Sequence, residues 1–147
     1  MTVGLHNKIR LIPKIEIKNN NLIKGINYEG LRSLGDPHNF INEYYNHGAD
    51  EIIIIDIISS LYDIDPDIDY LNKLTKNIFI PKTYGGGLNS IEKIDNALRN
   101  GADKVYLNSG ILINLKLLKD AIFKYGSSTI VLGVETQFFN DDYYIYT

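Results

Sequence analysis

Two segments of this 147-residue chain repeat one short pattern, and the repeat narrows the folds open to it. Gly48-Ala49-Asp50-Glu51 leads into Ile52-Ile53-Ile54-Ile55-Asp56, and Gly101-Ala102-Asp103-Lys104 leads into Val105-Tyr106-Leu107-Asn108. In each, a stretch of helical period stops at glycine, which takes the left-handed conformation that closes a helix, and a strand follows a tight aspartate turn. A charged residue marks the N-terminal end of each strand and a polar one its C-terminal end. The run from Glu51 to Ile57 is so uniformly apolar that both faces of its strand must be covered, as in a parallel sheet carrying helices. Ordinary helix-to-strand punctuation would account for either copy. Two copies favour repeated βα modules, a barrel or part of one, over a doubly wound sheet.

The rest of the chain fits that rhythm. Arg10 to Ile17 reads as a first strand, Asn19-Asn20-Asn21 as a turn and Leu22 to Ile26 as a short returning strand, because asparagine tolerates left-handed backbone angles. Asp36-Pro37 is a cap with proline at the first helical position, which predicts a helix ending at Gly48. Pro66 to Asn77 reads as helix, Ile78 to Tyr84 as strand, Ser90 to Asn100 as helix and Lys104 to Leu107 as strand. Asn114 caps a helix reaching Tyr125, Thr129 to Glu135 is a fifth strand, and Phe138 to Thr147 is a hairpin turning at Asn140-Asp141-Asp142. Tyr143, Tyr144 and Tyr146 alternate there, a pattern that suits packing.

Composition removes several classes of function. With 44% hydrophobic residues the chain can bury one core, and residues 1–147 are read as one domain. The formal charge of −3 gives no reason to expect nucleic acid or an anionic membrane as a partner. Cysteine is absent, and His6, His38 and His47 are scattered without metal-ligand spacing, so neither a metal site nor a cofactor is expected. No apolar run approaches the ~20 residues needed to span a bilayer, and Met1 to Ile9 lacks a signal-peptide core. A soluble, cytoplasmic protein is expected.

One local motif carries chemistry. Thr83-Tyr84-Gly85-Gly86-Gly87 ends the third strand and runs into a helix starting near Asn89-Ser90. Glycines let backbone N–H groups approach an anion closely, and a helix N-terminus adds partial positive charge. Asn108-Ser109-Gly110, ending the neighbouring strand, offers an amide, a hydroxyl and another open backbone. The pair suits a phosphate; the plainer alternative is a glycine-rich turn beside a helix cap.

Taken in order, these residues resemble the family of the cyclase subunit of imidazole glycerol phosphate synthase and its isomerase relatives in histidine biosynthesis. The resemblance rests on Arg10-x-Ile12-Pro13, Leu22-Ile-Lys24-Gly25, Gly35-Asp36-Pro37, Gly48-Ala-Asp-Glu51, Asp56-Ile57, Thr83-Tyr-Gly85-Gly86-Gly87 and Gly101-Ala-Asp-Lys104-Val-x-Leu-Asn108. It covers nearly the whole chain, from about Arg10 to Thr147. It implies an α/β fold of the (β/α)8 TIM-barrel family, here truncated to about four βα units plus strand five and the terminal hairpin. A complete barrel of this kind takes about 250 residues.

The resemblance also implies roles. Gly86, Gly87, Asn108, Ser109 and Gly110 would hold a substrate phosphate, with Lys24, Asp56 and Thr83 as further substrate contacts. Lys24 matches a mobile-loop lysine, and Asp56 could equally cap the following loop. Glu16 and Glu135 stand where the cyclase has its catalytic aspartates, at the ends of strands one and five. The extra methylene moves each carboxylate by more than an ångström, a displacement of the order that costs about 100-fold in rate. Strand-end carboxylates that merely face solvent are the alternative. Lys14 points the same way as Glu16, where the family has a small residue, and must be paired or hydrated. Arg10, Glu51 and Lys104 match an ammonia entrance at the opposite end, Asp103 a residue facing the glutaminase, although such a charge ring can also simply stabilise the barrel.

The implied reaction uses ammonia from a glutaminase subunit to cleave and cyclise a phosphorylated aminoimidazole ribonucleotide, giving imidazole glycerol phosphate and an aminoimidazole carboxamide ribotide. Two alternatives stay open: a paralogue serving sugar amidation in surface-polysaccharide synthesis, and a non-catalytic phosphate-binding half barrel or gene fragment. A half barrel would leave strands one and five without neighbours, so self-association or a second half barrel is expected as a further partner.

Overall fold

Short runs rich in β-branched residues form five parallel strands, and the computed structural model describes residues 9–26, 30–62, 64–65 and 67–145 of the chain. The strands are β1 (Lys14–Lys18), β4 (Ile52–Asp56), β5 (Lys82–Gly85), β6 (Lys104–Leu107) and β7 (Ile130–Leu132). A hairpin, β2 (Asn21–Ile26) and β3 (Gly30–Gly35), joins the sheet beside β1, so the order is β3-β2-β1-β4-β5-β6-β7. The order has two ends and the sheet does not close. A second hairpin, β8 (Thr136–Phe139) and β9 (Asp142–Ile145), stands as its own two-stranded sheet. Helices α1 (Pro37–Asn46), α2 (Ile57–Tyr62), α3 (Ile68–Leu74), α4 (Ile91–Arg99), α5 (Ser109–Ile113) and α6 (Leu115–Tyr125) occupy the connections. This is a mostly parallel sheet with alternating helices, the pattern of a partial (β/α) barrel.

Local chemistry sets the boundaries. Asp36 accepts from the His38 N–H ahead of Pro37, Ser90 accepts from Lys93 N–H, and Asn114 accepts from Leu117 N–H, capping α1, α4 and α6. Gly48 and Gly101 both have positive φ, as the repeated helix stop requires. Asn19 and Asn20 (φ 48° and 61°) form the two-residue turn between β1 and β2, and Asn140 and Asp141 (φ 50° and 62°) do the same between β8 and β9. Both turns need left-handed residues in succession, which asparagine and aspartate supply.

Several expected boundaries shift. The first strand starts at Lys14, not Arg10, because Pro13 has no N–H; Leu11 is held instead by Asp50, through Leu11 N–H to Asp50 Oδ2 at 2.7 Å. The third parallel strand starts at Lys82, after Pro81, rather than at Ile78, for the same reason. The fifth shortens to Ile130–Leu132, since Thr129 belongs to a 3-10 turn and the chain leaves the sheet after Leu132. Three elements were not foreseen, β3, α2 and α5. The free edge expected along strand one is partly covered, because β2 pairs antiparallel with Glu16 to Lys18. His6, the Pro66 start of the third helix, and the Tyr146–Thr147 end of the hairpin lie outside the described residues.

The two faces of the sheet differ. Ile15, Ile17, Ile52, Ile54, Tyr84, Val105 and Leu107 point to the helices and are buried with Ile41, Leu71, Ile94, Ala97, Leu117 and Ala121 in one apolar cluster. The alternate residues face the concave side. Ile53 and Ile55 there are only half-buried, so the expectation that this strand is covered on both faces fails within the described residues.

Ile54 has no exposed surface. Ile54→Ala should cost about 2–5 kcal/mol, seen as a lowered denaturation midpoint. Phe123→Ala, at 94% exposure, should stay within about 0.5 kcal/mol.

Candidate functional site

Strand register arranges the concave face in rows. Lys14, Ile53, Thr83 and Lys104 stand side by side on β1, β4, β5 and β6. Two residues further along come Glu16, Ile55, Gly85, Tyr106 and Val131. Beyond that row, at the C-terminal ends of the strands, an open pocket of about 560 Å³ is lined by Lys14, Glu16, Gly86, Gly87, Asn108, Ser109, Gly110 and Glu135, among others.

The glycines of this pocket are required by their surroundings. Gly86 has φ 108°, and a Cβ there would lie 2.1 Å from the Asp56 carbonyl oxygen. Gly87 has φ 65°, and its Cβ would meet the Ser59 carbonyl at 2.9 Å. The turn therefore presses its backbone on the end of β4 and leads through Ser90 into α4. The second loop is not a loop throughout: Ser109 and Gly110 open α5, where the Ile111 N–H bonds the Asn108 carbonyl at 3.1 Å. The two segments adjoin, since a Cβ on Gly110 would lie 3.7 Å from Asn89 Cα.

Charged groups stand at the same pocket. Lys14 Nζ lies 2.7 Å from Glu16 Oε1, the ion pair expected from their spacing. Burial lowers the Lys14 pKa, but the hydrogen bond and charge of Glu16, with Tyr106 and Glu135, outweigh it and hold Lys14 above the ordinary lysine value. Asn108 Nδ2 donates to Glu135 Oε1 at 3.4 Å, a long bond that ties one loop to the opposite carboxylate.

Tyr106 was not singled out in the sequence, although its alternation with Lys104 would have placed it on the concave face. Its ring fills space left by two glycines. A Cβ on Gly85 would touch Tyr106 at 2.9 Å, and one on Gly133 would lie 1.9 Å from its hydroxyl. Burial raises the Tyr106 pKa, Lys14 opposes the rise, and Glu135 and Glu16 reinforce it, so the hydroxyl stays protonated between the carboxylates.

At the other end of the strands, Glu51 is 3% exposed and gathers three partners. Thr83 Oγ1 donates to its Oε1 at 2.6 Å, Lys104 Nζ lies 2.6 Å from Oε2, and the Arg10 guanidinium is 3.7 Å away. Arg10, Glu51 and Lys104 are thus together. Burial alone would raise the Glu51 pKa; the hydrogen bonds from Lys104 and Thr83, and then the charges of Lys104 and Arg10, reverse this and hold it below 4.5. Asp103 is close by, pairing with Lys82 at 3.3 Å.

Thr83 and Lys24 do not line the pocket, and Asp56 takes the capping role that the sequence equally allowed. Thr83 has no exposed surface and spends its hydroxyl on Glu51, away from the pocket. Lys24 sits in strand β2 opposite Arg32, within a paired hairpin rather than an irregular lid, and does not line the pocket. Asp56 faces the helices and caps α2: its Oδ1 accepts from Ile58 and Ser59 N–H, and its Oδ2 from Ser59 Oγ. Among the described residues no group of three or more His, Cys, Asp or Glu is placed to hold a metal ion. No helix among them is long and apolar enough to cross a membrane.

Fold and site together define a partial (β/α) barrel with a glycine-lined, charged pocket at the C-terminal ends of its strands. Residues 10–146 match the family model described as histidine biosynthesis protein, and the chain belongs to that family. It is 40% identical over 129 residues to the imidazole glycerol phosphate synthase subunit HisF of Legionella pneumophila, covering 88% of this chain and 61% of that protein. The corresponding protein of Staphylococcus saprophyticus is 37% identical over 142 residues, 95% of this chain and 56% of its own length. That of Methanopyrus kandleri is 36% identical over 128 residues, 87% and 47%. The chain spans about half to three-fifths of the length of these curated relatives.

A carboxylate held below its ordinary value in the folded chain adds stability that is full above that value and lost as pH falls through the folded one. Glu51→Gln should therefore flatten the acid limb of the stability–pH curve below pH 4.5, and Glu51→Ala should cost about 1.5–3 kcal/mol at neutral pH by stranding its donors. A urea-melt series across pH checks both. Gly133→Ala should cost about 1–3 kcal/mol by overpacking Tyr106, and the same substitution should cost little when made in a Tyr106→Ala background.

Proposed function

We propose that this chain supplies the phosphate-binding part of an imidazole glycerol phosphate synthase cyclase. The reading is supported by one convergence: Gly86-Gly87 and Asn108-Ser109-Gly110 border a single pocket that also holds Glu16 and Glu135. Backbone N–H groups at a glycine turn and a helix start suit a phosphate, and the Lys14 ammonium, paired with Glu16, stands at the same pocket.

In this reading a phosphorylated aminoimidazole ribonucleotide binds by one phosphate in the cradle, with its reacting atoms toward Glu16 and Glu135. The two carboxylates transfer the protons of the cyclisation and cleavage. Lys14 and Asn108 orient them through the 2.7 Å ion pair and the 3.4 Å hydrogen bond. Tyr106 forms the floor. Ammonia from a glutaminase subunit enters at the far end of the strands, past Arg10, Glu51 and Lys104, where Asp103 meets the glutaminase. The remaining strands of the barrel come from further polypeptide, whether continuous with this chain or a second half barrel, and they cover the half-buried Ile53 and Ile55.

Inorganic phosphate should raise the melting temperature in a saturable way, by about 2.7 kcal/mol of stability at a hundred times its Kd. Gly87→Glu should abolish the effect and Asn108→Ala should weaken it. A shift of the same size in Gly87→Glu, or one reproduced by chloride at equal ionic strength, would sink the phosphate assignment. Turnover of the ribonucleotide with ammonium, on mixing with a polypeptide carrying the remaining strands, tests the reaction itself.

A further inference from the structure

Asn108 joins β6 to α5 with φ −129° and ψ −105°. The residues at the same position before α1, α3, α4 and α6 are Asp36, Asp67, Ser90 and Asn114, with ψ between 81° and 158°. Each of those four accepts an N–H from the first turn of its helix; the Asn108 side chain does not. Its one partner among the described residues is Glu135, at a long 3.4 Å. The N–H of the next residue, Ser109, has no acceptor among the described residues, since the bond at this helix start comes from Ile111.

These are the parts of an intramolecular reaction. The side-chain carbonyl carbon of an asparagine is open to attack by the backbone nitrogen of the following residue, which closes a five-membered succinimide ring. Ring closure makes Cβ and the attacking nitrogen eclipse about the Cα–C bond, which in an L residue falls at ψ of about −120°. Asn108 stands close to that angle. No cap bond keeps its Cγ from turning toward the nitrogen, and Ser109 is exposed, so water reaches the pair. Asn100-Gly101 is the contrast. By sequence it is the more reactive pair, because glycine has no side chain to shield its nitrogen. In the fold its ψ is 25°, and Asn100 Nδ2 donates to the Asn96 carbonyl and to Asn96 Oδ1, both at 2.8 Å. The fold thus holds the reactive sequence away from ring closure and the ordinary one near it.

We propose that Asn108 is a self-modification site, deamidated by the backbone nitrogen of Ser109. The bond from Ser109 N to Asn108 Cγ forms, the Cγ–Nδ2 bond breaks, and the Ser109 proton leaves with that nitrogen as ammonia. Water then opens the ring at either carbonyl, giving aspartate or isoaspartate at 108. Each product puts a carboxylate where an amide now donates to Glu135 Oε1, so attraction turns to repulsion at the glycine-lined pocket.

The test incubates the full chain in warm neutral buffer, folded and in urea, and follows both asparagines by peptide mass spectrometry that separates aspartyl from isoaspartyl products. In the folded chain Asn108 should convert about tenfold or more faster than Asn100, a modest share of what alignment of reacting atoms can give. In urea the order should reverse. Ser109→Pro suits the first helical position and has no N–H to lose, so it should abolish conversion at 108. If that variant does not fold, the folded and unfolded rates of the unaltered chain still decide. Asn100 converting first in the folded chain, or Asn108 converting no faster folded than in urea, would overturn the proposal. So would a product at 108 that is aspartate alone, since direct hydrolysis by water leaves no isoaspartate.

Discussion

The Glu51 carboxylate joins three strands at one point. It is carried by the residue before β4, receives the Thr83 hydroxyl from β5 and lies against the Lys104 ammonium from β6, almost wholly out of water. A buried charge is tolerable only where donors are placed to meet it, so the network penalises any other alignment of these strands. A one-residue slip of β5 or β6 would turn Thr83 or Lys104 to the opposite face and strand the carboxylate. The same register decides what happens at the far ends of the strands. With Ile53 beside Thr83 and Thr83 beside Lys104, Gly86-Gly87 and Asn108-Ser109 emerge side by side. The pairing of the two glycine-bearing loops is thus a consequence of a polar contact two layers beneath it.

The two sides of the sheet divide the tasks. The helix side carries most of the burial that holds the chain together, through Ile52, Ile54, Val105, Leu107 and the helices packed on them. The concave side is mixed, with Lys14, Glu16, Glu51, Thr83, Lys104 and Tyr106 drawn from alternate positions of the same strands beside Ile53, Ile55 and Val131. Substitution on the two sides should therefore have different consequences. Methylene groups removed from the helix side lower stability through lost packing, whereas changes on the concave side act through stranded hydrogen-bond partners, altered charge and pocket shape.

Much of this was legible in the residues, and the exceptions share a cause. Glycine stops, asparagine turns and aspartate or serine caps act within a few residues, and Gly48, Gly101, Asn19-Asn20, Asp36 and Ser90 all behave as their chemistry dictates. The unforeseen elements have little local preference of their own. Strand β3, Gly-Leu-Arg-Ser-Leu-Gly, is exposed along nearly its whole length and is held by pairing with β2. Helix α2 follows β4 without a break in apolar character, and it is Asp56, capping across the boundary, that turns strand into helix. Helix α5 is five residues with glycine inside it. The site follows the same division: the Gly86-Gly87 turn announces itself in sequence, while the fate of Thr83 depended on a partner 32 residues away.

The floor of the pocket shows how a site of this shape constrains its own variation. Tyr106 is large, and its neighbours across β5 and beyond β7, Gly85 and Gly133, have no side chains at all. The space is occupied once, by a ring leaning along the strand direction between two bare backbones. Adding a methyl at either glycine collides with the ring; shrinking the ring leaves a gap beneath Glu16 and Glu135. The carboxylates are longer by a methylene than aspartates would be, and Lys14 reaches up to one of them from the row below. The positions of these groups are therefore solved jointly. Placing aspartate at 16 alone would draw the carboxylate back from the Lys14 ammonium and break the 2.7 Å ion pair, and aspartate at 135 would lose the long hydrogen bond from Asn108.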